Sequence, residues 1–323
     1  MAALEETNAA SDFTLFINPN ITSNLLCISR FYVCFDALKQ GWLLGCRRIL
    51  SVDACFLKTF LGGQLIAAVG RDGNEQMYPL AWAVVEGENH ESYEWFFKQS
   101  SKSIVAMVAK EFPRAEHRHC ARHIFANWHK TYKGEDMKIL FWACAKSYNE
   151  PDFNEALDNL KEVDPKVFDA FIACNPTLFC RAFIQKHTQN DVIVSNMSET
   201  FNAYIISARS KHLIYMLEEI RTLIMQRLVR EKIEMEGSSH VVCPKVQERL
   251  EIEKDKASMC KALPSRPTLF QVHIGIDHVT VDLEARTCTC KKWELTGIPC
   301  FHAVSAIFEV HGHHAEDYVS RSL

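Results

Sequence analysis

Residues 48–85 read RILSVDACFLKTFLGGQLIAAVGRDGNEQMYPLAWAVV, and this stretch decides the fold class. It contains three apolar runs with the length and residue types of β-strands: 48–57, 64–69 and 77–85. Asp72-Gly73 lies between the second and third runs and is typical of a hairpin turn, because glycine accepts positive φ. Helical patterns follow from residue 91 onward. The sequence therefore predicts an α/β (α+β) domain that opens with three strands in meander order.

The bulk composition restricts the class of protein. The chain has 323 residues, 13 cysteines and a formal net charge of −4. Its length favours two or three domains, and its charge excludes a surface that is basic throughout, so a nucleic-acid surface must be a local patch. Cysteines without a repeating spacing, and no secretory signal, predict a reducing compartment. No apolar run has the length of a membrane span, so no membrane partner is expected.

A cluster of metal-ligand residues lies near the C-terminus. Cys288-Thr289-Cys290 is followed by nine residues and then by Cys300-Phe301-His302. Three thiolates and one imidazole close a tetrahedron around zinc, and four protein ligands leave no open position for water. The motif therefore predicts a structural zinc site in a small binding module. Two short strands, at 271–276 and 279–283, are predicted to lead into it.

One carboxylate, Asp53, lies inside the first apolar run. An ionised carboxylate is costly to bury without a partner. One interpretation is an Asp at a strand end that faces solvent or a turn. The other is a metal ligand on the central strand of a ribonuclease-H-like sheet, where carboxylates hold two Mg²⁺ ions for phosphoryl transfer. Both interpretations stay open on this residue alone.

Two further sets of polar residues are candidates for binding. Cys120 and His123 lie three residues apart and share a face if this segment is helical. They are either half of a second metal site or a packed cysteine beside a polar histidine. The other set is a small basic patch beside the zinc ligands, for which weak, salt-sensitive contact with phosphate is expected. It comprises Arg286, Lys291 and Lys292.

Four stretches resemble the transposases of plant Mutator-like elements, the MuDR family: residues 51–97, 112–128, 196–221 and 288–304. The last of them resembles the SWIM-type zinc finger of these proteins. The resemblance covers nearly all of the chain, from about Phe31 to His311. It implies a ribonuclease-H-like transposase core with DDE chemistry, a DNA partner and a location in the nucleus. It also implies a SWIM module that holds zinc and is able to bind a protein partner.

The resemblance assigns roles to acidic residues. Asp53 falls on the family's first acidic position and Glu199 on the third. The second is missing, because Gln99 runs directly into a later helix where the family has a strand that ends in an Asp. Glu86 and Glu88 are poor substitutes, since they follow the third strand. The chain therefore resembles a truncated or internally deleted copy, and the loss is expected to leave residues 48–56 unpaired on one edge.

The sequence predicts five segments along the chain. They are a loose leader (1–30), a transposase domain (31–232) with a helical insertion at about 136–185, a linker with some helix (233–267), the SWIM-type zinc finger (268–311) and a tail (312–323). The ribonuclease-H-like sheet is expected to have three main strands, with a further short strand near residues 116–119.

The functional hypothesis is a transposase-derived nuclear protein that binds zinc and binds DNA or a protein, with no competent nuclease site. The alternative is an active DDE transposase that carries out Mg²⁺-dependent DNA cleavage and strand transfer. A third interpretation is a transcription regulator domesticated from this family. Zinc is expected in each case, whereas Mg²⁺ is expected only if the catalytic site is competent. The sequence does not determine the oligomeric state.

Overall fold

The structure is a computed structural model of the chain and describes residues 8, 10–17, 28–60, 62–100 and 116–320. Its contacts divide the chain into two units. The first joins Met1–Ala115 with Asn196–Ser239, and the second joins Glu116–Ser195 with His240–Arg321. The described residues form a mixed α/β fold with one antiparallel sheet in each unit. None of their helices combines the length and the apolar character that a membrane span requires.

The secondary-structure elements follow one another in chain order. Up to residue 128 they are β1 (Asp12–Ile17), β2 (Ile28–Cys34), α1 (Asp36–Gly45), β3 (Cys46–Phe56), β4 (Gln64–Asp72), β5 (Met77–Val85), α2 (His90–Ser100) and α3 (Ala121–Trp128). They continue with α4 (Glu135–Lys146), α5 (Glu150–Val163), α6 (Pro165–Ala173), α7 (Asn196–Tyr204), α8 (Leu213–Glu236) and α9 (Pro244–Ala257). The last are β6 (Lys261–Pro264), β7 (Leu269–Ile274), β8 (Asp277–Asp282), β9 (Thr287–Cys288), α10 (Lys292–Thr296) and α11 (Phe301–Phe308).

The predicted meander is present as β3, β4 and β5, each antiparallel to the next. Helices α1 and α7 cover opposite faces of this sheet. Ser198 and Asn202 of α7 bond to side chains at odd-numbered positions of β3, whereas Trp42 of α1 lies against Gly70, which is on the other face of β4. Because both faces are covered, β4 and β5 are continuously apolar rather than alternating.

A close approach of α1 depends on Gly70. A Cβ atom added at this position lies 2.7 Å from the Trp42 ring, so only glycine lets the indole pack flat on β4. The hairpin from β4 to β5 also differs from the sequence-based expectation. Its positive φ lies at Glu75 (63°) rather than at Gly73.

The expectation of a loose leader over residues 1–30 is wrong for β1 and for the start of β2. These strands pair with each other through Phe13 and Val33, and β2 pairs with β5 through Val33 and Trp82. The sheet order is therefore β1-β2-β5-β4-β3. The residues of β1, DFTLFI, include the aromatic and β-branched types that favour strands, and pairing with β2 extends the sheet beyond β5.

Strand β3, which carries Asp53, is the terminal strand of this sheet among the described residues. The short strand expected near residues 116–119 is absent, because residues 116–120 have no regular secondary structure. The helix expected over residues 102–112 lies outside the described residues. Residues 195–232, whose sequence has a helical pattern throughout, form two helices, α7 and α8, which are divided by a connection that contains the 3₁₀ turn Ala208–Ser210.

The second unit has a helical core and a zinc-finger core. The predicted helical segment forms α4, α5 and α6, followed by three 3₁₀ turns, around Phe141, Phe171 and Phe179. Part of the expected linker is instead ordered structure. Helix α9 packs Val246 and Leu250 into the zinc-finger core, and β6 pairs with β7. The buried apolar residues of α9 follow helical spacing, but the sequence shows this pattern only weakly because charged residues outnumber them.

Candidate metal centre

The zinc-ligand motif lies where a β-hairpin meets two helices. Cys288 is on β9, which pairs with β8 through Val281. Lys291 adopts the left-handed conformation (φ 66°), and its N–H donates to the Cys288 carbonyl, so the chain turns back after Cys290. Cys300 is the N-cap residue of α11, and His302 lies in the first turn of that helix. The local backbone geometry therefore directs the ligand side chains of both halves of the motif toward each other.

The structure brings the four predicted ligands together. One ligand atom from each of Cys288, Cys290, Cys300 and His302 lies within 4.8 Å of all the others. The Sγ atoms of Cys290 and Cys300 are 3.5 Å apart, and His302 Nδ1 is 3.8 Å from Cys288 Sγ. Tetrahedral zinc with bonds of about 2.3 Å to sulfur places sulfur atoms roughly 3.8 Å apart. The donor set and its spacing therefore fit zinc.

Burial and charge favour a cation at this point. Cys288, Cys300 and His302 are all buried. Hydrogen bonds from the Cys288 and Cys300 thiols lower the pKa of Cys290, whereas burial and the neighbouring thiols raise the pKa of Cys300. The side chains alone thus favour a single thiolate. A bound divalent cation stabilises further thiolates, because it supplies the positive charge that the apolar surroundings lack.

Two buried carboxylates hold the backbone of the motif. Glu294 accepts a hydrogen bond from the Cys288 N–H (3.1 Å) and pairs with Lys186 (2.9 Å). Glu253 of α9 accepts a hydrogen bond from the N–H of Phe301, at the start of α11 (3.0 Å). Each carboxylate therefore fixes one half of the motif independently of the metal. The contact with Lys186 also joins the zinc finger to the helical core of the same unit.

The three residues of the expected basic patch all make contacts within the second unit. Lys292 pairs with Glu253 (2.5 Å), and Lys291 donates to the carbonyl of Ala182 (2.5 Å). Arg286 donates to the carbonyls of Asp317 and Val319 and lies over the Tyr318 ring. Each of the three side chains thus has at least one partner within the second unit, and these contacts hold the zinc finger to its surroundings.

Cys120 and His123 do not gather further ligands. Cys120 is the N-cap residue of α3, and its Sγ accepts a hydrogen bond from the Ser195 N–H (3.3 Å). His123 is exposed on α3. Within the described ranges, no third Cys, His, Asp or Glu joins the pair at ligand distance, and the Cys₃His cluster is the only such group of three or more. The structure therefore gives Cys120 a local structural contact.

Helix α7, which carries Glu199, lies against β3. Asn202 Nδ2 donates to Asp53 Oδ2 (3.4 Å), and the hydroxyls of Ser198 and Ser51 are 2.9 Å apart. The structure thus places α7, which carries Glu199, beside β3, which carries Asp53. In the described part of the chain, no group of three carboxylates forms around them. The sequence does not predict the contact between Asn202 and Asp53. The one signal is the helical spacing of Ser198 and Asn202, which places both residues on the face of α7 that meets β3.

Tyr93 is a further residue near this carboxylate. Its hydroxyl donates to Glu88 Oε1 (3.2 Å). Burial raises the pKa of Tyr93, and the nearby charges of Glu88 and Asp53 raise it further. The aromatic run of α2 indicates only a core face, so the sequence does not predict this contact. Glu88 therefore bonds to a phenol and does not complete a set of metal ligands with Asp53.

Comparison with protein families defines the class of the chain. Residues 49–110 match the family model for the MULE transposase domain, and residues 270–311 match that for the SWIM zinc finger. No curated protein matches the chain. The chain thus carries one region that matches a MULE transposase domain and one that matches a SWIM zinc finger. Its MULE domain and C-terminal SWIM finger confirm the resemblance to Mutator-like transposases, and the SWIM match with the Cys₃His cluster supports zinc as its metal.

Proposed function

We propose that this chain is a transposase-derived nuclear protein that binds duplex DNA through its second unit, with zinc held by Cys288, Cys290, Cys300 and His302, and that it lacks a competent nuclease site. The transposase and SWIM domains suggest interaction with DNA or protein. Of these two partners, DNA is favoured because of a basic surface on and beside α3.

This surface comes from a stretch with no acidic residue. Residues 117–134 contain two arginines, two lysines and four histidines but no Asp or Glu. We define the basic stripe as five of these residues, which are all exposed: His119, Arg122, His123, Lys130 and Lys133. Their spacing follows α3 and the turn after it. In a chain with a net charge of −4, this is a local positive surface of the kind that DNA recognition requires.

The lysines of the basic stripe are not paired with acidic side chains in the described part of the chain. Lys130 Nζ donates to the amide oxygen of Asn127 (3.0 Å), which is neutral. Lys133 makes no contact with an acidic group in the described part of the chain. Each ammonium group is therefore available to displace a counterion from a DNA phosphate, which makes the binding depend on salt.

The absence of nuclease activity is supported by the first unit. The ribonuclease-H-like hypothesis expects Asp53 on the first strand of the meander and an acidic helix against it, and β3 and α7 have this relation. It also expects a strand beside β3 that carries the second Asp, whereas β3 ends the sheet of the described residues. Two carboxylates do not position two Mg²⁺ ions, which removes activation of the nucleophile and stabilisation of the leaving group.

Charge reversal in the basic stripe tests the DNA proposal. The double substitution Lys130→Glu and Lys133→Glu is expected to weaken binding of a duplex oligonucleotide irrespective of its sequence. The slope of log K against log salt concentration is expected to decrease in magnitude by about 2, since each lost phosphate contact lowers it by about 1. Fluorescence anisotropy at several salt concentrations measures both effects.

The matched control is Lys166→Glu. Lys166 is exposed in the same unit, outside the basic stripe, and lies between Asp164 and Asp169 in sequence. Its substitution is expected to leave DNA binding nearly unchanged. Equal losses in Lys166→Glu and in the double variant would show that binding is diffuse, and the stripe would have no special role.

The wild-type protein is expected not to cleave or join DNA. The assay incubates the protein with Mg²⁺ or Mn²⁺ and terminal-repeat DNA, at a protein concentration at which binding has been measured. Intact DNA is the expected product, because the metal pair lacks a ligand. Strand cleavage that disappears in Asp53→Ala would restore the alternative, an active DDE transposase.

A further inference from the structure

A loop of the first unit exposes two phenylalanine side chains. Phe56, at the end of β3, is 70% exposed, and Phe60 is fully exposed. We define the aromatic loop as residues 56–60. Single exposed apolar residues are ordinary in proteins. Here two exposed aromatic side chains lie four residues apart on one loop, which makes this loop a candidate for contact with a partner.

The backbone of the aromatic loop is fixed rather than loose. The Leu57 N–H donates to the Gly63 carbonyl (3.0 Å), and the Gly62 N–H donates to the Thr59 carbonyl (3.0 Å), which closes a turn with Phe60 inside it. Gly63 has a φ of 91°, and a Cβ atom there would lie 2.9 Å from the Val85 carbonyl oxygen. These backbone bonds restrict the main chain on both sides of Phe60, which lowers the conformational entropy that the loop loses on binding.

Positive charge surrounds the two rings. Lys58 lies between them in sequence, is exposed and has no ion pair within the described ranges. Arg209 donates from Nε to the Phe56 carbonyl (2.9 Å) and from an Nη atom to the Asn202 carbonyl (3.1 Å). Both acceptors are neutral, so the guanidinium charge is not compensated by them. The Lys58 N–H also donates to the Arg209 carbonyl (2.8 Å), which holds the two cationic residues side by side.

Acidic residues are absent from this part of the chain. There is no Asp or Glu in the sequence between Asp53 and Asp72. An apolar surface that meets a protein partner does not require cations such as Lys58 and Arg209 beside it. Aromatic rings interleaved with cations are instead the arrangement that binds single strands, in which bases stack on the rings and phosphates meet the cations.

We propose that the aromatic loop binds unpaired bases of single-stranded DNA, with bases stacked on Phe60 and Phe56 and the backbone phosphates at Lys58 and Arg209. The inference rests on the proposed function, since it assigns a second DNA surface to a DNA-binding protein. This surface lies in the first unit, whereas the basic stripe lies in the second. The two surfaces are thus separable by substitution.

The test compares oligothymidylate with duplex DNA in anisotropy titrations of the full chain. Phe60→Ala is expected to weaken oligothymidylate binding by about 5- to 150-fold, because stacking contributes ~1–3 kcal/mol per base. Phe60→Trp is expected to retain binding, since it keeps an aromatic face. Lys58→Glu is expected to weaken binding and lower its salt dependence. Duplex binding is expected to be unchanged in both Phe60 variants.

Phe308→Ala is the matched control, because Phe308 is a 57% exposed phenylalanine of the second unit. Oligothymidylate binding that is unchanged in Phe60→Ala, or equally weakened in Phe308→Ala, would overturn the inference. If the wild-type chain binds duplex but not oligothymidylate, the loop inference fails and the proposed function stands. If it binds oligothymidylate through Phe60 but does not bind duplex, the basic stripe fails and the aromatic loop stands.

Discussion

Replacement of Cys300 by serine is expected to abolish zinc binding and to unfold the zinc-finger core of the full chain. Cys300 is fully buried, and its Sγ lies 3.5 Å from that of Cys290 and 3.9 Å from His302 Nδ1. Structural zinc contributes roughly 10–16 kcal/mol of apparent binding free energy in small fingers, and that energy stabilises the folded state. Cys290→Ala is expected to have the same result, because three protein ligands no longer close the site.

The loss is expected to reach beyond the finger. Leu295 of α10 is buried with the helical core, and Lys291 and Lys186 connect the finger to that core through Ala182 and Glu294. Helices α4 to α6 are therefore expected to lose protection in hydrogen exchange together with α11. Metal analysis and circular dichroism of the purified protein measure the primary effect.

The control for this prediction is Cys174→Ser. Cys174 lies at the C-terminal end of α6 in the same unit, and its contact is local, with the Ala170 carbonyl. It is expected to retain zinc and fold normally. A Cys300→Ser protein that is free of zinc but as stable as wild type would contradict the structural role of the metal.

Glu75→Gln is expected to destabilise the first unit by about 3–5 kcal/mol, the usual cost of removing one partner from a buried ion network. Glu75 pairs with Arg47 (3.2 Å) and with Arg71 (2.7 Å). The Arg47 side chain is only 1% exposed, and Glu75 itself is 15% exposed. The amide of glutamine keeps an acceptor but no charge, so two sequestered guanidinium groups then repel each other.

The free energy of unfolding of this unit is best followed by hydrogen exchange at the amides of β4 and β5. Glu94→Gln is the matched control, because Glu94 lies on α2 with a 72% exposed side chain, and its carboxylate lies 4.0 Å from His90 Nδ1. It is expected to change stability by less than about 0.5 kcal/mol. Equal, small effects in both variants would show that the Glu75 network contributes little.

The sequence pattern was sufficient to predict the structure where the contacting residues are close together in sequence. The zinc ligands fall within fifteen residues, and the turn at Lys291 and the helix start at Cys300 bring them together without help from distant segments. The meander of β3, β4 and β5 was likewise predictable, since consecutive antiparallel strands joined by short turns pair with each other. The helical segment followed from its periodicity, although its 3₁₀ turns did not.

The sequence pattern did not predict elements that depend on partners far away along the chain. Strand β1 exists because β2 and β5 continue the sheet beside it, and the low periodicity of this segment does not predict that pairing. The charges of α9 outnumber its apolar residues and indicate a linker with some helix, yet Val246 and Leu250 are buried. Lys291 and Lys292 indicate a basic patch in the sequence, whereas their contacts with Ala182 and Glu253 involve residues that are far away along the chain.

The sequence by itself determined the zinc donor set, the three-strand meander and the transposase and SWIM character of the chain. These depend on residue identity and short spacing, which are fixed before the chain folds. Only the tertiary structure decided that β3 ends the described sheet, that the finger shares a unit with the helical core, and that Asn202 and Tyr93 surround Asp53. These contacts join residues that are far apart in sequence, such as Asp53 and Asn202, which are 149 positions apart. Burial and hydrogen bonding bring such residues together only when the strands and helices have packed against each other.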